Sequence, residues 1–254
     1  MFITVDEAKI FALSFGPPTA PPILALSGWI GSWEDWAATF SPLSERWRTI
    51  SYDHRGSGAT IAPLASIRFE QLVSDVFTVM DSYGLEKCVL AAMSMGTAVA
   101  LAAALLRPER FSGLVIINGF YYRPPIPAGD PFLNGLHHHY PQTLDQFARS
   151  CVPEKNGEAI RRWGRQILER ADPAAAIALY EMSGFIDLRP QLPQLTLPTL
   201  ILHGDADPLV PMASAQWLAQ TLPNAKLIPL PGAGHVPIMT FPNEVTQAIN
   251  DFFL

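Results

Sequence analysis

The feature that most constrains this chain is an alternation of short apolar runs with helix-length amphipathic segments. Ile23–Leu26, Arg48–Tyr52, Cys88–Ala92 and Leu114–Ile117 read as strands. Between them, Trp33 to Trp47, Phe69 to Tyr83 and Thr97 to Leu106 read as helices. In the second helix Leu72, Val73, Val76, Val79 and Met80 share one side, and Gly84 is its stop signal. Strands separated by helices become parallel neighbours, because a parallel pair needs a crossover connection. The expected class is therefore α/β, a doubly wound and mostly parallel sheet, opened by a hairpin of Phe2–Val5 and Lys9–Ser14. Such sheets place ligands at the carboxyl ends of their strands.

The alternation breaks from Phe120 to about Leu192. Pro124, Pro125, Pro127, Pro131, Pro141 and Pro153 interrupt this stretch, and its periodic segments are helical: Thr143–Cys151, Gly157–Arg170 and Ala174–Met182. The strand–helix pattern then resumes with Thr199–Leu202, Ala213–Leu222, Lys226–Leu230 and Glu244–Phe253. The expected organisation is a core of residues 1–120 and 193–254 carrying an inserted helical lid of residues 121–192.

Composition narrows the partners. A chain of 254 residues that is 49% hydrophobic can bury a large core. A net charge of -6 leaves no electrostatic footprint for nucleic acid or for an anionic membrane. The densest basic stretch, Arg161, Arg162, Arg165 and Arg170, reads as a solvated helix face. The uncharged run from Cys88 to Leu106 is long enough to span a bilayer, but a turn at Ser94 to Gly96 divides it into a strand and a buried helix. The N-terminal residues lack the basic and apolar regions of a signal peptide. Two cysteines make no disulfide framework, and Cys88 reads as a core residue. A cytoplasmic, reducing location is the expectation.

The strongest chemical signal is Val89-Leu90-Ala91-Ala92-Met93-Ser94-Met95-Gly96-Thr97-Ala98, where a strand meets a serine and then a helix of small residues. A nucleophile at a sharp strand-to-helix turn needs small neighbours two before and two after it, and here these are Ala92 and Gly96. The usual pattern has glycine at both positions, so Ala92 is a departure. The helix start places partial positive charge near a developing oxyanion.

A serine hydroxyl needs a base, and six histidines are available. His137, His138 and His139 are consecutive in the proposed lid and read as a solvated loop. His203 ends a strand, and His54 lies in the turn Asp53-His54-Arg55-Gly56-Ser57-Gly58. His235 follows the last strand in the loop Pro231-Gly232-Ala233-Gly234-His235-Val236-Pro237, where it can reach a nucleophile at the same sheet edge. The acid should end a neighbouring strand. Asp205 and Asp207 both qualify, and Asp207 is preferred because it lies farther into the loop, ahead of Pro208. Asn118 ends another strand but carries no charge. The candidate triad is Ser94, Asp207 and His235, in the chain order of one hydrolase architecture and of neither the chymotrypsin nor the subtilisin type.

With these residues in hand, the chain resembles the α/β-hydrolase superfamily over nearly its whole length outside the lid. Leu26-Ser27-Gly28-Trp29 resembles the family's His-Gly oxyanion loop with Ser27 in place of histidine, and Asp53-His54-Arg55-Gly56-Ser57-Gly58 matches its D-x-R-G-x-G turn. Leu197-Pro198-Thr199, leading to Gly204 and Asp207, matches the stretch before the acid. The resemblance implies oxyanion donors at the backbone N–H groups of Trp29 and Met95. It also implies two-step acyl transfer with no metal and no organic cofactor, acting on a small-molecule ester or lactone. Esterases, enol-lactonases, carbon–carbon bond hydrolases and perhydrolases or haloperoxidases share this framework, as do slow-turnover ligand sensors. Phe132, Leu133, Leu136, Tyr140, Phe147, Trp163, Ile167 and Phe185 are the expected pocket walls from the lid.

Overall fold

The structure is a computed structural model that describes residues 1–254. Eight strands form one sheet: β1 (Phe2–Val5), β2 (Ala8–Phe15), β3 (Pro22–Leu26), β4 (Arg48–Tyr52), β5 (Cys88–Met93), β6 (Phe111–Ile117), β7 (Thr199–Gly204) and β8 (Ala225–Leu230). Their spatial order is β1-β2-β4-β3-β5-β6-β7-β8. β1 and β2 are antiparallel to their neighbours, and every pairing from β4 through β8 is parallel. The central strands β5 and β7 are buried at every residue, as helices on both faces require.

The helices are α1 (Ala37–Leu43), α2 (Phe69–Ser82), α3 (Met95–Leu106), α4 (Pro131–His138), α5 (Tyr140–Cys151), α6 (Glu158–Leu168), α7 (Pro173–Ser183), α8 (Met212–Thr221), α9 (Pro237–Thr240) and α10 (Pro242–Phe253). One face of the sheet is packed by α2 and α3 through Val76, Met80, Leu101 and Ala104. The other is packed by α1 and α10 through Phe40, Leu43, Val245 and Ile249. The uncharged run from Cys88 is strand, turn and helix, and no helix is long and apolar enough to cross a membrane.

Four helices, α4–α7, lie between β6 and β7. Three of them fall where periodicity puts them, and α4 is additional. It is capped by the Asp130 side chain, which accepts from Leu133 N–H at 2.8 Å, with Pro131 at its first turn. The three histidines are thus at a helix end and not in a loop: His137 and His138 close α4, and His139 links it to α5. The expected helix over Trp33 to Trp47 is also divided. A 3-10 turn at Trp33–Trp36, capped by Ser32 and Asp35, leads into α1, which ends at Leu43 just after Pro42.

The basic stretch is largely a solvated face, with Arg162 and Arg170 exposed, but three of its arginines are paired. Arg170 makes a bidentate pair with Glu34 of the core at 2.7 Å, and Arg165 bonds Asp145 and Glu169. Arg161 donates to the carbonyls of Val152 and Glu154. These arginines fasten α6 to its surroundings.

Candidate active site

β5 runs straight into α3, and Ser94 is the hinge between them. Its backbone has φ 52° and ψ -124°, a region costly for a residue with a side chain. The small neighbours are sterically required. A Cβ at Gly96 would collide with the Ser27 carbonyl oxygen, while Ala92 fits between Leu26 and Ile116 in the sheet. The alanine in place of the usual glycine is therefore accommodated by fully buried strand packing.

His235 reaches Ser94 from the loop after β8. Its Nε2 is 2.9 Å from Ser94 Oγ, and its Nδ1 is 2.8 Å from Asp207 Oδ2. The structure thus brings Ser94, His235 and Asp207 together, as expected from strand-end positions alone. Asp205 instead accepts from Gly232 N–H at 2.6 Å and does not bond His235. Asp207 is thoroughly tied down: Oδ1 accepts the N–H groups of Leu209 (2.8 Å) and Val210 (3.1 Å). Burial pushes its carboxyl up, but the bond and charge of His235 and those two N–H groups outweigh it, leaving Asp207 below the ordinary carboxylate range. His203 is buried beside it, bonds the Val210 carbonyl at 2.9 Å, and is lowered by desolvation, as suits a neutral structural histidine.

Asn118 carries a role that its neutral side chain did not advertise. It holds φ 45° at the end of β6. Its Nδ2 donates to Asp207 Oδ2 at 2.6 Å and to the Gly234 carbonyl at 2.9 Å, while Oδ1 accepts Gly204 N–H at 3.0 Å. One amide thereby fixes the acid, the loop before the histidine and the strand end between them. The sequence signal was present, because Asn118 follows a strand at the same sheet edge as the other three.

The loop after β3 closes over the nucleophile. A Cβ on Gly28 would lie 3.1 Å from Ser94 Cβ, so the loop passes in van der Waals contact with it. The N–H groups of Trp29 and Met95 donate to no protein acceptor. Ser27, standing where the resembling family has histidine, donates from Oγ to the Ser32 carbonyl at 2.6 Å and pins the loop across its own turn. The following turn is braced from below. Asp53 accepts Trp33 N–H and Ala59 N–H, each at 2.8 Å, and Arg55 clamps Asp75 at 2.7 and 2.9 Å with both side chains buried.

Ser94 and His235 open onto a cavity of about 490 Å³, within the range of small-molecule sites. Its walls include Trp29, Phe120, Phe132, Phe147, Tyr180 and Val210. A smaller recess of about 50 Å³ lies on another side of Ser94, against Met93, Val152 and Leu168. Trp29 anchors the junction. Its Nε1 donates to the Ala176 carbonyl at 2.8 Å, and its ring meets Phe132 and Phe147 edge-on at 5.4 and 5.3 Å. Of the eight wall residues expected from the sequence, only Phe132 and Phe147 line these spaces. Leu136 and Ile167 are buried between elements, Trp163 bonds Glu34, and Phe185 is 85% exposed.

This geometry has counterparts among known proteins. The profile of the alpha/beta hydrolase fold family matches residues 21–162 and 139–242. The chain is 29% identical to a pimeloyl-[acyl-carrier protein] methyl ester esterase of Nitrosomonas europaea over 91% of this chain and 94% of that protein. It is 27% identical to a putative carbamate hydrolase, RutD, of Caulobacter vibrioides over 98% and 96%. The fold superposes on an enol-lactonase from Burkholderia xenovorans with a TM-score of 0.91, at 22% identity and 99% coverage of both chains. The chain belongs to the α/β-hydrolase fold family.

Proposed function

We propose that this chain is a serine hydrolase that cleaves a small, fairly apolar carboxylic ester or lactone through an acyl-enzyme on Ser94. The observation that carries the reading is the continuous relay from Ser94 Oγ through His235 to Asp207, with bonds of 2.9 and 2.8 Å, opening on an aromatic-walled cavity. Relatives named as an ester esterase and a carbamate hydrolase support acyl transfer as the reaction class.

In the first step Ser94 Oγ attacks the carbonyl carbon while His235 Nε2 takes its proton. The C=O electron pair moves onto oxygen, and the N–H groups of Trp29 and Met95 receive that oxyanion. The oxyanion re-forms C=O, the C–O bond to the alcohol breaks, and His235 returns the proton to the leaving oxygen. Water then repeats the sequence on the acyl-enzyme, releasing the acid and restoring Ser94. Asp207 holds the histidine tautomer and offsets the imidazolium charge. Residues 121–192 act as a lid whose aromatic face meets Trp29 over the nucleophile.

The test is steady-state hydrolysis of an ester panel varied in acyl and alcohol size, with an organophosphonate that labels the nucleophile. Sustained turnover, and labelling that maps to Ser94, are the expected results. Ser94→Ala should lower kcat by roughly a million-fold. A Ser94→Ala protein with wild-type esterase activity refutes the mechanism, and a single burst followed by no turnover would instead make this a ligand sensor.

A further inference from the structure

Arg123 is an unneutralised cation on the wall of the main cavity. The chain turns past it just beyond β6, where Arg123 N–H bonds the Ile186 carbonyl at 3.0 Å. Its guanidinium lies over the Tyr180 ring, 4.1 Å from the centroid, and its Nη1 donates to Ser183 Oγ. Ser183 in turn donates to the Tyr180 carbonyl at 2.6 Å. Stack and bond together fix the plane of the guanidinium, which a solvated arginine would not need.

What this arginine lacks is an acid. No Asp or Glu lines the cavity, and Arg123 forms no ion pair. The nearby carboxylates are engaged elsewhere: Asp130 caps α4 and accepts the Tyr180 hydroxyl at 3.1 Å, and Asp187 is held by Arg189. With Nη1 on Ser183, the Nε–Nη2 edge is engaged by no carboxylate of the protein. That is the edge with which Arg55 grips Asp75, and Arg189 grips Asp187, in this same molecule. A side-on arginine edge matches a carboxylate bidentately.

We propose that Arg123 is a specificity-determining carboxylate clamp, so that the ester or lactone cleaved at Ser94 is one that also bears a carboxylate. The inference rests on the hydrolase reading above and deepens it. The cavity wall is then divided by chemistry. Trp29, Phe132 and Phe147 take the hydrocarbon part, and Arg123 holds the anionic end while Ser94 meets the carbonyl. The recognised group is the carboxylate itself, whether it stands on the acyl or on the alcohol side of the scissile bond.

The experiment compares matched pairs on the full-length protein. Half-esters of straight dicarboxylic acids, from five to eight carbons, are set against the same esters with the free acid replaced by a primary amide. Acetate esters of ω-hydroxy acids and of their amides form the alcohol-side arm. The wild-type protein should prefer the anionic member of at least one arm by about ten- to a hundred-fold in kcat/KM, the value of a charge-assisted bidentate contact. The preference should reside in KM and weaken with added salt. Arg123→Gln should reduce the anion-to-amide ratio to within about threefold, and Arg123→Lys should keep part of it. Arg46→Gln, at an exposed position outside the cavity wall, should keep the wild-type ratio. Turnover of the neutral esters with no preference for a carboxylate in either arm overturns the clamp alone. So does a ratio that survives Arg123→Gln. Absence of turnover on every ester, with no phosphonate label on Ser94, overturns the hydrolase reading and the clamp with it.

Discussion

Gly28 passes against Ser94 in van der Waals contact, and adding one methyl group there separates catalysis from folding. Gly28 is not among the residues with positive φ, so alanine is compatible with its backbone. Its Cβ, however, would lie 3.1 Å from Ser94 Cβ and 3.5 Å from Ser94 Oγ. Non-bonded carbons prefer separations of about 3.5–4.0 Å, so the loop must retreat by a few tenths of an ångström. Ser94 cannot give way, because β5 and α3 fix it on both sides. Trp29 N–H is the next backbone group along and moves with the loop. A displacement of that size approaches the tolerance of a preorganised site, about 0.5 Å. The methyl also enters the shell around Oγ, at about 3–3.5 Å, where a substrate carbonyl carbon must sit. Loss of one oxyanion donor costs about a hundred- to a thousand-fold in kcat, or about 2.7–4 kcal/mol. Gly28→Ala should therefore lower kcat on a small activated ester by that factor, and slow phosphonate labelling of Ser94 in parallel. Its melting temperature should stay near wild type, since the change is confined to a loop. Activity within about fivefold of wild type would refute the placement of the Trp29 oxyanion donor on this loop.

Other perturbations address the acid, the pH dependence and the frame. Asp207→Asn should lower kcat by about ten-thousand-fold, because Asn cannot offset the imidazolium, and kcat measured at neutral pH checks this. Asp35 is fully buried in the turn beside the oxyanion loop, and burial pushes its carboxyl up to about 7. Its folded-state value lies above the unfolded one, so its contribution to stability is complete below pH ~4 and is lost as pH rises through ~7. Asp35→Asn should accordingly gain stability relative to wild type between pH 5 and pH 8, by about 3 kcal/mol, as read from urea unfolding at each pH. A relative stability that does not change with pH would count against that environment. Asp75→Ala leaves Arg55 buried without its partner and should cost about 3–5 kcal/mol in urea unfolding.

What was legible in the sequence follows from where the physics is local. The parallel core strands could be read because buried strands are short apolar runs bounded by turn residues, and Ser94, Asp207 and His235 stood out because each follows such a run. Features made by distant partners were not legible. Arg170 and Glu34 pair across 136 residues, and nothing in the arginine-rich segment says that it docks against the core. Helix α4 was hidden by its composition, since Pro131, Asn134, Gly135 and two histidines are weak helix formers; its Asp130 cap is local, but the Tyr180 bond to that carboxylate comes from tertiary structure. The division of the Trp33–Trp47 segment depends on the Asp53 carboxylate, which draws Trp33 N–H toward the next strand end. Asn118 and Arg123 are the instructive pair. One was passed over for lacking charge, and the other is a single cation in a proline-rich connector. Both acquire meaning only from what the fold places opposite them.

The inserted helices are joined to the catalytic loops by hydrogen bonds as well as by packing. The Cys151 carbonyl, at the end of α5, accepts His235 N–H at 2.9 Å. The Glu154 carboxylate accepts Gly234 N–H at 2.8 Å. On the other side, Trp29 of the oxyanion loop donates to the Ala176 carbonyl of α7. His235 and Trp29, the proposed base and oxyanion donor, are thus each tied to a different helix of the insertion, and Arg170 with Glu34 closes the same seam at its rim. If the insertion swung away as a rigid body, it would break bonds to both loops at once and unseat His235 and Trp29 together. Substrate entry is therefore better served by the mouth of the main cavity, where Tyr122 and Leu209 are exposed, than by opening along that seam. The same arrangement couples specificity to chemistry. Phe147 on α5 and Tyr180 on α7 wall the cavity, and their helices hold the catalytic loops, so a change that reshapes this pocket also bears on the geometry of attack.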